Sequence, residues 1–196
     1  PFIKIGSTEL NHYDFLFEAA KFNKTIILST GMSNLNEVKS AVNLIKQIHN
    51  KIIILHCTTE YPTSPKSVNI SALNTLKNVL SVQIGYSDHT INSTASIMAV
   101  ALGAKVIEKH LTLDNSMEGP DHSSSLNPTN FKSFVNNVKD ASIMIGSGIK
   151  KPTLAELKNI KNIRRGAVAS KNLTKGSIIT KSMIIAKRPF IEIDPN

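Results

Sequence analysis

The chain has 196 residues, 41% of them hydrophobic, with a formal net charge of +9 and one cysteine, Cys57. This length predicts one domain or slightly more. The lone cysteine excludes an internal disulfide framework and fits a reducing cytoplasm. No apolar run approaches the length that is needed to span a membrane. The basic residues are scattered and the chain has three tyrosines and no tryptophan, which favours an enzyme for anionic small substrates over a nucleic-acid-binding protein.

Five short apolar runs predict five strands separated by helical patterns. The runs are Phe2 to Gly6, Thr25 to Ser29, Ile52 to Cys57, Val82 to Tyr86 and Lys105 to His110. Polar residues follow every run, as at the catalytic rim of an α/β barrel, whereas an open doubly wound sheet would place them at one switch point. The pattern therefore predicts five βα units of a parallel barrel. Because a strand begins immediately after Pro1, we expect a fragment of a longer protein.

Three of the predicted helices have explicit end signals: a capping box at Asn34 and Glu37, a terminal Gly103, and Asn127 followed by Pro128. The side chains expected to be buried are Leu35, Val38, Val42 and Ile45 in the first helix, Ala95, Met98 and Leu102 in the second, and Phe131, Phe134, Val138 and Ile145 in the third.

The composition changes at residues 146–148, where two glycines flank a serine. We therefore expect a partial barrel over residues 1–146, a lysine-rich linker helix over 147–163, and the start of a second small module over 164–196. The last segment has the pattern of short strands and turns, with a tight turn at Lys175-Gly176.

Two histidines, His89 and His110, lie at the ends of successive predicted strands. In one parallel barrel both imidazoles face the same rim, which makes half of a divalent-metal site with open positions for water and substrate. An isolated histidine there more often caps its strand by hydrogen bonding, but a pair on adjacent strand ends favours the metal site. Ser87 and Glu108 lie two residues earlier, so they point to the same side as the histidines.

Further polar residues at the predicted strand ends suggest an anion site next to the histidines. Lys4 lies between apolar residues, where we expect a buried cation that awaits a phosphate or carboxylate; an edge lysine whose head reaches solvent is the alternative. Ser7, Ser29 and Ser87 would add hydroxyl groups. The remaining candidates are the carboxylates Glu9 and Asp121, the pocket residue Tyr61, and Cys57, which is expected to pack in its strand rather than act as a nucleophile.

Six motifs, in order and over nearly the whole chain, resemble those of the N-acetylneuraminate (sialic acid) synthase family. They are K-I-G-S-x-E at 4–9, I-L-S-T-G-M at 27–32, H-C-T-T-E-Y-P at 56–62, G-Y-S-D-H-T at 85–90, E-K-H-x-T at 108–112 and G-P-D-H at 119–122. The resemblance implies the C-terminal five βα units of a TIM (β/α)8 barrel followed by a partial antifreeze-like SAF domain. It also implies a domain-swapped homodimer of the full-length protein.

The resemblance further implies condensation of phosphoenolpyruvate with an N-acetylated aminosugar, usually N-acetylmannosamine, with release of phosphate. A divalent metal, Mn²⁺ with Mg²⁺ or Co²⁺ as alternatives, would be held by His89 and His110 and would polarise the sugar aldehyde. The residues that resemble the phosphoenolpyruvate-binding set of the family are Lys4, Ser7, Ser29 and Ser87. Those that resemble residues around the open-chain sugar are Glu9, Tyr61 and Asp121, and Glu9 is expected to be catalytic. Arg188 resembles an SAF-domain arginine that reaches the N-acetyl group of the sugar in the other subunit's site. Three family βα units, with a glutamate and a lysine of the active site, are missing here, so this fragment alone is expected to be inactive.

The sequence leaves several alternative functions open. The closest is the same chemistry on a 2,4-diacetamido-trideoxy-mannose acceptor, which gives legionaminic acid, while Gly85-Tyr86-Ser87 and Pro120-Asp121-His122 argue mildly against pseudaminic acid. A metal-dependent aldolase or hydrolase with the same fold is a second alternative. A non-catalytic saccharide- or ice-binding protein is the most remote.

Overall fold

Five parallel strands lie in chain order in one curled sheet. The chain divides into two compact units, 1–146 and 147–196, and this sheet belongs to the first. The computed structural model describes residues 1–189 and 193–195. The strands are β1 (Phe2–Ile5), β2 (Thr25–Ser29), β3 (Ile52–Cys57), β4 (Gln83–Asp88) and β5 (Ile107–Lys109). The five predicted strands are confirmed, although β4 continues two residues beyond its predicted end and β5 is shorter than its apolar run.

The sheet curls far enough for side chains of its two edge strands to contact each other. Lys4 on β1 and Glu108 on β5 form an ion pair of 3.3 Å although three strands lie between them in the hydrogen-bonded order. Such a contact across the concave face requires the curvature of a barrel wall rather than an open sheet. The result is a half-barrel, as expected for part of a TIM barrel.

Helices cover the convex face of the sheet and enclose the hydrophobic core with it. They are α1 (Tyr13–Lys21), α2 (Leu35–Lys46), α3 (Ala72–Leu80), α4 (Thr94–Ala101) and α5 (Pro128–Met144). Ile26, Leu28 and Ile54 of the strands and Val42 and Ile45 of α2 are almost completely buried between the layers. This burial of aliphatic side chains is the main source of stability of the unit.

The predicted helix signals are confirmed, but two of the predicted core residues are wrong. Asn34 and Glu37 form a reciprocal capping box, Gly103 adopts φ +97° after α4, and the Asn127 side chain accepts from Asn130 N.

The two residues wrongly predicted to be buried are Met98 and Ile145. Met98 is exposed, because small residues such as Ala95 and Ala99 form the buried side of α4. Ile145 is also exposed: it follows the last residue of α5, where the buried side of the helix has already ended.

The second unit contains a helix and a two-stranded antiparallel sheet. Helix α6 (Leu154–Ile163) begins at a capping box of Thr153 and Glu156, and β6 (Gly166–Ala169) pairs with β7 (Ile184–Lys187). Gly176 adopts φ +91° in the connecting segment, at the predicted turn. The assignment of this unit to an SAF domain stays a prediction. Across both units, none of the described helices is long and apolar enough to cross a bilayer.

Candidate active site

The ends of β4 and β5 bring His89 and His110 together at one rim of the half-barrel. Their ring centroids lie 5.1 Å apart in an edge-to-face arrangement. A metal bound at about 2.1 Å from an imidazole nitrogen lies about 3.2 Å from that ring's centroid. Two rings at the observed separation can therefore both reach one cation.

The hydrogen bonding of His89 makes its Nε2 available to a ligand. Its Nδ1 lies 2.7 Å from the carbonyl oxygen of Thr58, which can only accept, so the neutral ring donates from Nδ1 and its Nε2 keeps a free lone pair. Burial lowers the pKa of His89, and the nearby His110 lowers it further. The neutral ring that results is the form that binds metals, and a carbonyl partner on the other nitrogen is typical of metal-binding histidines.

The residues fit a divalent cation that keeps open coordination positions. Within the described part of the chain, no group of three or more His, Cys, Asp and Glu side chains is arranged to hold a metal. The ion-pair partner of His110 is Asp121, whose Oδ2 lies 3.7 Å from the Nδ1 of the histidine. Two imidazoles with the other positions left to water and substrate suit a Lewis acid, and the metal itself stays a prediction.

Lys4 is the centre of a polar network on the concave face. Its Nζ lies 3.0 Å from Ser29 Oγ and 3.3 Å from Glu108 Oε2, and Glu108 Oε1 accepts from Ser87 Oγ at 2.8 Å. The expected burial of Lys4 is wrong: its side chain is 30% exposed, because β1 is an edge strand and the concave face of the half-barrel is open beside it. The ammonium group is nevertheless held in place by Glu108 and by the hydroxyl group of the buried Ser29.

Ser7 is fixed by a close approach of two loops. Its Oγ accepts from the backbone N–H of Gly31 at 2.9 Å. A Cβ on Gly31 would collide with the side chain of Thr59 and lie 2.9 Å from Ser7 Oγ. Only glycine allows the loops after β1, β2 and β3 to meet here, which directs the Ser7 hydroxyl toward this rim.

The predicted sugar-side residues are only partly brought together. The Tyr61 ring lies 4.1 Å from that of His89 and 5.5 Å from that of His110, so Tyr61 covers the histidine pair. Asp121 contacts His110, as described above. Glu9 instead contacts its sequence neighbours, His12 at 3.3 Å and Thr8 at 3.4 Å, rather than the two histidines.

Arg188 is exposed, whereas Cys57 is buried. Arg188 is exposed directly after β7 in the second unit, and its part in sugar capture stays a prediction. Cys57 is buried in β3, and burial raises the pKa of its thiol, as expected for a packing residue rather than a nucleophile.

Sequence reasoning placed Glu108 on the same side of its strand as His110 but gave neither Glu108 nor Gly31 a role in the site. Glu108 joins the Lys4 and Ser87 side chains, and its position two residues before His110 on the same side of a strand was the available signal. Gly31 follows β2 in a motif that the resemblance included, but the need for a glycine depends on the Thr59 loop, which is distant in sequence.

Comparison with known proteins gives a consistent family assignment. Residues 1–150 match the sequence profile of the NeuB family. N,N′-diacetyllegionaminic acid synthase of Campylobacter jejuni is 45% identical over 189 residues, which cover 95% of this chain and 57% of the relative. Pseudaminic acid synthase of the same species is 37% identical over 193 residues, which cover 98% of this chain and 56% of the relative.

A solved structure agrees with the sequence relatives. The N-acetylneuraminic acid (sialic acid) synthetase of Leptospira borgpetersenii, crystallised with citrate, aligns with a TM-score of 0.74 and 33% identity, over 81% of this chain and 56% of that one. This chain thus spans just over half the length of the proteins that it resembles.

Proposed function

This chain belongs to the NeuB family, and from that premise we propose that the protein containing it condenses phosphoenolpyruvate with an N-acetylated aminosugar. N-acetylmannosamine is the first acceptor proposed, giving N-acetylneuraminate and inorganic phosphate. The vinyl carbon of phosphoenolpyruvate bonds to the sugar aldehyde carbon, water adds to the adjoining oxygen-bearing carbon, and phosphate leaves by cleavage of its C–O bond. The enzyme is therefore a transferase that forms a carbon–carbon bond.

The observation that carries this proposal is the His89–His110 pair beside the Lys4 network on one rim. Mn²⁺, or Mg²⁺ or Co²⁺ in its place, would be held by the two histidines and supplies Lewis-acid polarisation of the aldehyde when bound. Lys4 and the Ser7, Ser29 and Ser87 hydroxyls would bind the anionic groups of phosphoenolpyruvate. Lys4 is paired with Glu108 at 3.3 Å, so an incoming phosphate competes with that carboxylate for the ammonium group.

The carboxylates and Tyr61 define the proposed acceptor side. Tyr61 packs on His89 and would shield the reacting atoms from bulk water. Asp121, at 3.7 Å from His110 Nδ1, would orient that ring and face the sugar hydroxyls. Glu9 is proposed as a catalytic carboxylate, and this requires it to leave its exposed partner His12.

A 2,4-diacetamido-trideoxy-mannose acceptor is the second candidate. The 45% identity to an N,N′-diacetyllegionaminic acid synthase favours it. The two acceptors differ at the sugar carbons that carry the second acetamido group and the missing hydroxyl. Direct competition between them decides the specificity.

The test is release of inorganic phosphate by the intact protein. We expect release only when phosphoenolpyruvate, an acceptor sugar and a divalent metal are all present, and a ratio of kcat/KM values between N-acetylmannosamine and its diacetamido analogue that identifies the acceptor. Phosphate release without sugar would contradict the synthase and favour a hydrolase. Sugar binding without any phosphate release would favour the non-catalytic reading.

The second unit is proposed as the start of an SAF domain that brings Arg188 into the site of the partner subunit in a swapped homodimer. Separate Arg188→Ala and His110→Ala proteins are both expected to be nearly inactive. In a swapped mixed dimer one site keeps both an intact His110 and an intact Arg188, so mixing restores activity. Without swapping, both sites of the mixed dimer carry a defect and no activity returns.

The 196-residue chain alone is proposed to be inactive, because it spans only 57% and 56% of two synthase relatives. A cytoplasmic location is proposed from the single, buried Cys57. Phosphate-release activity of the isolated chain would contradict the first of these proposals.

A further inference from the structure

A buried ion pair lies directly behind the two histidines. Asp88 and Lys109 immediately precede His89 and His110, and the two are register partners across β4 and β5. Consecutive strand residues point to opposite faces. The ion pair therefore lies between the sheet and its covering helices, while the imidazoles lie on the rim side.

This pair is almost completely withdrawn from solvent. The side chains of Asp88 and Lys109 are 0% and 2% exposed, and Lys109 Nζ lies 3.4 Å from Asp88 Oδ1. The Asp88 carboxylate also accepts from Thr90 N at 2.8 Å, from Thr90 Oγ1 at 2.7 Å and from Ser96 Oγ at 2.6 Å. Both carboxylate oxygens of Asp88 have a partner, so the charge is compensated by an organised set of donors.

The network connects the elements on which the histidines depend. Lys109 Nζ donates to the Thr90 carbonyl and lies 5.5 Å from the centre of the Phe134 ring. Through Asp88 and Lys109 the network joins the ends of β4 and β5 with the loop after β4, with α4 through Ser96 and with α5.

Backbone hydrogen bonds also hold the two histidines. The His89 carbonyl accepts from Thr63 N at 2.9 Å, and the His110 carbonyl accepts from Leu126 N at 3.0 Å.

Stability alone does not account for such a pair. A buried ion pair is often no more stabilising than apolar side chains of similar volume, and its desolvation is costly. It does, however, specify one geometry, because its partners must all be present in one arrangement. Here the paired residues immediately precede the two backbone positions from which the imidazoles project.

We propose that Asp88 and Lys109 are positioning residues that set the angle and separation of His89 and His110, and through them the affinity for the divalent cation. This inference rests on the proposed metal site. It concerns neither metal contact nor substrate contact by the two residues themselves. Their effect passes through the backbone of the adjacent histidines.

The test compares Mn²⁺ binding by the intact protein and by the double variant Asp88→Asn/Lys109→Met. The variant removes both charges and keeps a side-chain oxygen and amide for Thr90 and Ser96. We expect it to fold with nearly unchanged Tm and to bind Mn²⁺ about tenfold more weakly, the loss typical when a group that orients a metal ligand is removed. Electron paramagnetic resonance should show altered nitrogen coupling to the bound Mn²⁺.

Two further variants keep the test decisive. Ser96→Ala removes only one hydrogen bond of the network and is expected to weaken Mn²⁺ binding by a smaller factor, which provides a result even if the double variant does not fold. Leu80→Ala, at the opposite end of the sheet, lowers Tm and leaves Mn²⁺ affinity unchanged. It separates loss of stability from loss of positioning.

The outcomes distinguish this inference from the proposed function. If the intact protein binds Mn²⁺ and the folded double variant binds it within twofold with the same nitrogen coupling, the positioning role is wrong and the metal site stands. If the intact protein binds no Mn²⁺, the metal site and the positioning role both fail.

Discussion

The two halves of the candidate site are held in different ways. The imidazole half, at the ends of β4 and β5, projects from backbone that a solvent-free ion pair fixes from behind. In the ammonium half, at the ends of β1 and β2, Lys4 is held by contacts with Ser29 and Glu108 on the concave face itself. The lysine side chain remains partly exposed. Metal coordination demands fixed directions, whereas a flexible lysine can follow an anion. The structure therefore supplies rigidity where the proposed chemistry needs it most.

The largest effect is expected when the imidazole half is broken. His110→Ala removes one of two proposed ligands, so Mn²⁺ binding and phosphate release should each fall by at least about 100-fold, more than the loss of a group that only orients a ligand. Isothermal titration with Mn²⁺ and the phosphate assay measure this. The matched control His49→Ala lies before β3, at the opposite end of the sheet, and should leave both unchanged. Full metal affinity in the His110 variant would remove the basis of the proposal.

Breaking the ammonium half should weaken substrate binding without touching the metal. Lys4→Met removes a charge-assisted hydrogen bond to the proposed phosphoenolpyruvate, worth about 10-fold to 100-fold in kcat/KM. Mn²⁺ affinity should stay within about twofold. The control is Lys46→Met, because Lys46 also donates to a protein oxygen, the Leu80 carbonyl, away from this rim. Equal losses in the two variants would mean that Lys4 has no special part.

A smaller effect is expected from the loop that directs Ser7. Gly31→Ala introduces a Cβ against Thr59 and Ser7, so it should displace the Ser7 hydroxyl and raise the KM for phosphoenolpyruvate about threefold to tenfold, the value of one hydrogen bond. The control Gly6→Ala places its Cβ 3.8 Å from the nearest atom, Thr8 Oγ1. Steady-state kinetics of the two variants separate steric displacement from a general effect of alanine.

The smallest expected effect concerns β3, which lies between the two halves. Burial lowers the pKa of His56 below its ordinary value of 6.5, and the ring donates to the Val68 carbonyl at 2.9 Å. Below pH 6.5 the unfolded chain binds this proton more readily than the folded one, so stability falls as the pH decreases through that window. Tm measured at pH 7 and pH 5 should therefore differ less in His56→Gln than in the unchanged protein. An identical pH dependence in both would show that His56 does not contribute.

Local patterns were sufficient to predict the elements and several of the site residues. Apolar runs located five strands, and capping residues such as Asn34 and Asn127 located helix starts, because these signals act within a few residues of chain. The exposed Met98 shows where this reasoning stops. A helical periodicity identifies an apolar stripe, but which side of α4 approaches the sheet depends on the small residues that allow close packing.

The sequence by itself determined that polar and ionisable side chains lie at the end of each strand, and that His89 and His110 lie at the ends of neighbouring strands, because parallel strands align their carboxyl ends. Only the tertiary structure decided which of these groups meet. The Lys4–Glu108 contact depends on the curvature of the whole sheet, and the burial of Asp88 and Lys109 depends on two helices closing over them. Both are properties of long-range packing, which no short stretch of sequence encodes.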